Sequence, residues 1–333
     1  MDPLLSLALS LVLASPQSAA AGDVAARQAD EKRQREAALA ALPDGWKSFE
    51  SGPFLVLSQG QDALARATAE DASVVWEWLD EAFADFAAGT RAPAPILCVH
   101  GSEESATADG FVRGGFVFVG DELPRLAFFP AADVQKNVRR RVAEAWFEGH
   151  DRDLWFALPG WIRLGLVEVS SDARIKGGKV ILKADTYTLG DITAAALEDR
   201  LVDLPEFVQQ PLPRASAQWL GVDQHFSPSP QAGQLVRHLL AGKGAKGAKT
   251  KKILPGYVAA LRPRLPALVA KVDAALAGAG LKRGDGTYPE QRAREFEKLE
   301  AETLPALFRE VFAGWTDKDW SELQRAYWSE KGG

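Results

Sequence analysis

Apolar positions recur along this chain in two rhythms, and each predicts a different kind of element. Short unbroken apolar runs at Phe54–Leu57, after Gly52-Pro53, and at Pro95–Val99 read as buried strands. Between them, Val75, Trp78, Leu79, Ala82, Phe83 and Phe86 recur at helical spacing and predict one long helix over Asp62–Ala88 with that set as its inner face. Strand, helix, strand in that order predicts a right-handed crossover with the two strands parallel. Gly114–Gly120 alternates and reads as a strand, and Leu126–Phe129 reads as another, with a break at Glu122-Leu123-Pro124. From Asp133 the rhythm becomes helical again. Val134, Val138, Val142, Ala145 and Trp146 make one apolar face of a helix over Asp133–Phe147, with Asp133 suited to its start and Gly149 to its end. A second helix is expected over Trp161–Val169, a strand at Lys179–Leu182, a helix after Thr188 and a helix over Gln231–Leu240. Pro255–Ala277 and Pro289–Phe312 read as helical, bent or interrupted at Pro263, Pro266 and Pro305. The last helix, Asp317–Ser329, carries Trp320, Leu323, Tyr327 and Trp328 along one side.

This order predicts an α+β fold: a small mixed sheet with a covering helix, followed by a mainly helical part. At 333 residues the length suggests two domains, or one with a helical extension. The expected division is 1–21 as a signal peptide, 22–45 as a solvated lead-in, 46–130 as a sheet subdomain and 131–333 as a helical subdomain. Gly242–Lys252, GKGAKGAKTKK, reads as a flexible linker inside the helical part. The export reading rests on the apolar run Leu4–Ala14 and the small-residue site Ala19-Ala20-Ala21, although only Asp2 stands where a positive region belongs. It places the mature chain in the periplasm or outside the cell, with no stable membrane span once the signal is removed. The net charge of −6 gives no general reason to expect a nucleic-acid partner. Cys98 is the only cysteine, so no internal disulfide forms; in an apolar strand it reads as a small buried hydrophobe rather than a nucleophile.

The stretch Asn137–Ser171, NVRRRVAEAWFEGHDRDLWFALPGWIRLGLVEVSS, carries the candidate chemistry. Arg140-Arg141-Val142-Ala143-Glu144-Ala145-Trp146-Phe147 has the shape of a helix that in zinc peptidases reads H-E-x-x-H, with two His one turn apart on zinc and a Glu as general base. Pro159-Gly160-Trp161-Ile162-Arg163-Leu164-Gly165-Leu166 is similar to P-x-W-x-x-E-G-L, whose Glu is the third ligand. The segment thus resembles the gluzincin-like, peptidase MA-type domains, in particular the secreted domains of unknown function found in planctomycete-type bacteria. That resemblance implies a zincin-like helical part. It puts Arg140 and Glu144 at the His positions, Arg141 at the general base and Leu164 at the third ligand. A register shifted by one puts Arg141 and Ala145 at the ligand positions, and these bind no zinc either. In the resembled peptidases an edge strand just before the zinc helix pairs with extended substrate. One of the two strands Gly114–Gly120 and Leu126–Phe129 is expected to take that place or to be an ordinary sheet strand; Phe116 and Phe118, with Trp146 and Trp161, are the candidate cleft-lining residues.

The four His, at 100, 150, 225 and 238, offer no helical pair. No nucleophile elbow, P-loop or dinucleotide fingerprint occurs. Glu148, His150, Asp151 and Asp153 cluster in sequence, yet a solvated loop is the plainer reading. The Arg139–Arg141 run reads as a solvated face with an Arg140–Glu144 pair, or as an anion or carboxylate site in the former cleft. The favoured expectation is an exported, catalytically inactive metallopeptidase-like protein with no cofactor and no metal. It would bind or scaffold a peptide or protein of the cell envelope through the old cleft. One alternative is a hydrolase with an unrecognised or displaced site, using Glu144 or Glu148; another is a purely structural protein whose cleft is filled by Arg and Leu.

Overall fold

A computed structural model describes residues 16–111, 116–117, 123–182, 190, 193, 201–211, 228–241, 247, 249–282, 285 and 287–329. The chain divides into two compact units, Met1–Leu42 and Pro43–Gly333. In the first, Pro16–Ala40 is one helix, α1, and runs through the Ala19–Ala21 site without interruption. Its ion pairs are intrahelical, such as Arg35 with Glu31 at 2.8 Å. Among the described residues no helix is long and apolar enough to cross a membrane.

The second unit is α+β. Its sheet is built from β1 (Lys47–Ser51), β2 (Phe54–Ser58), β3 (Ile96–Val99), β4 (Phe116–Val117) and β5 (Arg125–Phe128), in the order β1-β2-β3-β5-β4. β2 pairs parallel to β3, as the crossover pattern requires, and β3 pairs parallel to β5. β1 is an edge strand that the hydrophobic pattern does not reveal. It turns into β2 through Gly52, whose φ of 53° lies in the region that glycine enters most easily. β4, antiparallel to β5, is the other edge. Cys98 lies in the central strand, and burial pushes its thiol up to about 12.

The long helix expected over Asp62–Ala88 is two: α2 (Asp62–Ala82) and the short α3 (Ala84–Ala87). Phe83 breaks it with φ −125°, and its ring packs 5.2 Å from Phe147. Ala82, expected on the inner face, is exposed, whereas Trp76 is buried. α4 (Glu103–Ala108) follows β3, while α2 covers β2 and packs against α5 (Val134–Ala157). α5 passes Gly149 and ends ten residues later than the sequence suggests. Gly149 marks a close approach instead, since a Cβ there would lie 3.0 Å from that of Ala92. α5 kinks at Asp151, which leaves the helical region with φ −155° and ψ 88°, and whose carboxylate accepts from the Leu154 N–H at 2.9 Å. The expected polar loop is therefore a capped kink.

α6 (Gly160–Asp172) follows, then a hairpin of β6 (Arg174–Lys176) and β7 (Lys179–Ile181). α7 (Leu204–Phe207) and α8 (Pro228–Ala241) come next. The helix expected after Thr188 lies largely outside the described residues, as does most of the Gly242–Lys252 linker. The linker's described end is ordered: Thr250–Lys252 forms a 3₁₀ turn, and Lys249 Nζ donates to Asp319 at 2.7 Å. α9 (Ile253–Leu261), α10 (Leu265–Gly278), α11 (Tyr288–Val311) and α12 (Asp317–Ser329) complete the chain. Pro263 falls in the break between α9 and α10 and Pro266 in the first turn of α10, while Pro305 lies inside α11 without ending it.

α6 is held most closely by α8. A Cβ on Gly165 would lie 2.6 Å from the Ala232 carbonyl oxygen, and one on Gly233 would lie 2.8 Å from Glu168 Cγ. Small residues on both helices let the backbones meet. Gly165→Ala is expected to lower stability by about 2 kcal/mol, the scale of overpacking in a close-packed interior, measured as a lower urea midpoint at unchanged slope.

Candidate functional site

Three of the four positions that the motif singled out converge. Arg140 and Glu144 from α5 and Leu164 from α6 line one cleft of about 130 Å³, together with Trp155, Gly160, Arg163 and Val167. Residues 140 and 144 share a side of α5 because they are one turn apart. Ala145, a ligand position in the shifted register, is buried in the core.

Arg141 does not line the cleft; its Nη1 donates to Glu144 Oε2 at 2.7 Å. Arg140 Nε lies 3.8 Å from the other oxygen of the same carboxylate, so Glu144 is shared by two guanidinium groups. Trp146 and Trp161 are fully buried rather than cleft-lining. Trp146 Nε1 donates to Asp80 at 2.7 Å on the side of α5 that faces α2, and Trp161 packs edge-on against Tyr257. The indole that borders the cleft is Trp155, stacked on Phe147 at 4.6 Å. Phe116 lies on the edge strand β4, and Phe118 lies outside the described residues.

Three contributors escaped the sequence reading. Arg163 is buried on α6, where its Nη2 donates to Glu300 Oε2 at 3.3 Å and its Nη1 lies 3.7 Å from Glu297. The other Glu300 oxygen accepts the Gly160 N–H at 2.7 Å. A carboxylate from α11 thus satisfies an otherwise orphan donor at the start of α6 and meets the positive end of its dipole. Arg163 had a signal, a lone charge in the apolar run WIRLGL; Glu300 had none. Glu168, one turn beyond Leu164, is the third. Burial pushes its carboxyl above the ordinary range and Asp172 adds to this, while Arg140, Arg237 and Lys136 pull it back.

The Glu148–Asp153 cluster does not form a ligand set. His150 Nδ1 lies 2.8 Å from the Trp146 carbonyl, and its Nε2 accepts the Ala92 N–H at 3.3 Å. Those partners fix the neutral tautomer with the proton on Nδ1. Asp151 caps the kink, and Asp153 is bidentate to Arg292 at 2.7 and 3.0 Å. Glu148 lies 3.8 Å from Arg152. Among the described residues no three His, Cys, Asp or Glu side chains are grouped to hold a metal ion.

No family model matches the chain, and no curated protein or solved structure matches it either.

Glu300→Ala takes the acceptor from the Gly160 N–H and leaves the buried Arg163 without the nearer of its two carboxylates, Glu297 remaining at 3.7 Å, and should cost about 3 kcal/mol. Arg140→Ala, at a side chain 45% exposed, should change stability by no more than about 0.5 kcal/mol. Urea denaturation of both variants checks the contrast. His150 and His100 both have pKa values lowered by burial, opposed at His150 by the Trp146 carbonyl and then Asp80, and at His100 by Asp109. The unfolded imidazole takes up its proton near the ordinary value of 6.5, where the folded one does not. Their stabilisation is therefore complete above pH 6.5 and is lost as the pH falls below it. The urea midpoint of the native chain should drop more steeply between pH 6.5 and 5.5 than that of His150→Gln.

Proposed function

We propose that this chain is an exported, catalytically inactive relative of the metallopeptidases that binds a peptide or protein of the cell envelope through the α5–α6 cleft. The observation that carries the reading is the convergence of Arg140, Glu144 and Leu164 on one cleft. Convergence is what a ligand-bearing frame requires, and the residue types are ones that cannot assemble a zinc site: a zinc peptidase needs three ligands and an open position on the metal. The antiparallel edge strand β4, ahead of α5 in the chain, supports it further, because an edge offers backbone hydrogen bonds to an extended partner.

The charges favour a partner without strong net charge at the cleft. Arg140 and Arg141 share Glu144, and Arg163 is matched by Glu297 and Glu300. With the guanidinium groups already matched, the carboxylate-site reading of the arginine run loses its driving force.

A second reading keeps one specific observation. Glu168 has the raised pKa that suits a general acid and lies one turn from Leu164, so a metal-free hydrolase would use Glu168 rather than Glu144 or Glu148.

The test restores the ligands. Arg140→His, Glu144→His and Leu164→Glu together should bind about one zinc per chain, while the native chain binds none after dialysis against zinc, both read by metal analysis. The native chain should bind members of an unstructured peptide panel without cleaving them, and Leu164→Trp should abolish that binding. Stoichiometric zinc in the native chain, or chelator-sensitive cleavage, would overturn the reading. Cleavage that resists chelator and disappears in Glu168→Gln would establish the second one.

A further inference from the structure

A second concave site shares no residue with the cleft. It is an apolar hollow of about 190 Å³ bounded by α3, α5, α6, α8, the 3₁₀ turn and α9. Its walls include Phe83, Phe86, Phe147, Leu166, Leu254 and Val258, and its polar lining is Asp85, Thr250 and Lys251. Size sets the first limit on an occupant. An engineered apolar cavity of roughly 150 Å³ holds benzene, so one ring or one branched aliphatic group fits here and a long acyl chain does not. The chain's own flanking stretch, Gly242–Ala248, is GKGAKGA and has no aromatic or branched side chain to offer.

Charge sets the second limit. Asp85 comes from α3 and Lys251 from the 3₁₀ turn. Among the described residues neither the Asp85 carboxylate nor the Lys251 ammonium has a hydrogen-bond or ion-pair partner. A monocarboxylate would suit Lys251 but bring a like charge towards Asp85, and an amine would do the reverse. Only a head group with both signs matches both.

We propose that this hollow binds a free apolar α-amino acid. The aromatic or branched side chain lies among the phenylalanines and leucines, the ammonium faces Asp85 and the carboxylate faces Lys251. The proposal does not depend on the role of the α5–α6 cleft.

Isothermal titration of the full chain with L-phenylalanine and L-leucine tests it, against 3-phenylpropionate, phenethylamine and glycine. At least one of the two apolar amino acids should bind saturably. The two analogues with a single charge should bind about fivefold more weakly, as should the best ligand to Asp85→Asn or Lys251→Ala, the scale of one exposed ion pair. Glycine should not bind, and Val258→Trp, which fills the hollow, should abolish binding. Absence of saturable binding to either apolar amino acid would overturn the proposal. So would equal binding of the singly charged analogues, since the hollow would then recognise apolar bulk alone, and so would full binding to a folded Val258→Trp. Should Val258→Trp fail to fold, the two rim variants decide.

Discussion

A buried guanidinium governs the geometry of the candidate site. Arg163 sits in the first part of α6, Gly160–Val167, whose other buried residues are glycine or apolar, and an unpaired charge there would be strongly destabilising. Glu300 removes that penalty from far along the chain, and with its second oxygen it also takes the Gly160 N–H. One carboxylate therefore joins α11 to the start of α6, fixing the helix that supplies Gly160, Leu164 and Val167 to the cleft. A buried ion pair of this kind is weak evidence for net stability, since an apolar pair of similar shape can do as well. Its value here is positional: it specifies which turn of α11 meets which turn of α6.

α6 has little free surface left after its contacts are made. Gly165 admits α8, Arg163 reaches α11, and Leu164 and Val167 border the cleft. Asp172 at its far end is buried and bonded to Arg237 of α8 at 3.0 Å. Each side of the helix is thus matched to a different neighbour, which explains why its sequence shows no simple amphipathic stripe. The same crowding raises the Glu168 carboxyl, caught between desolvation and the neighbouring cations.

The hydrophobic rhythm made much of this legible. Runs of buried residues gave β2, β3 and α5 because in each the period reflects a face that is really covered. β1 was hidden because it is an edge: Phe49 is the one apolar residue in Lys47–Ser51, and a strand with little to bury leaves little pattern. The length of α5 was hidden for a different reason. Gly149 and the polar His150–Asp153 read as a stop, but the glycine serves close contact with Ala92, and the two aspartates cap a kink and reach Arg292. At the site, spacing alone brought Arg140 and Glu144 to one side of α5. It could not tell which tryptophan borders the cleft, since Trp146, Trp155 and Trp161 are all buried and differ only in their neighbours. Glu300 lies beyond local inference, because its role depends on tertiary contact with residues 137 and 140 positions away.

The size of the cleft bears on how the proposed binding would work. A space of about 130 Å³ cannot enclose an extended peptide. On the proposed reading, the recess between Arg140, Leu164 and Val167 would admit a single side chain, and the remaining contact would fall on the surface around it. Trp155 bears on what that side chain would be. Its Nε1–H is buried with no hydrogen-bond acceptor among the described residues, in a residue that borders the recess. A buried donor favours a group that can accept from it, while Leu164 and Val167 favour an apolar stem. A short amide or hydroxyl side chain meets both demands and brings no charge into a setting where the arginines already have their carboxylates.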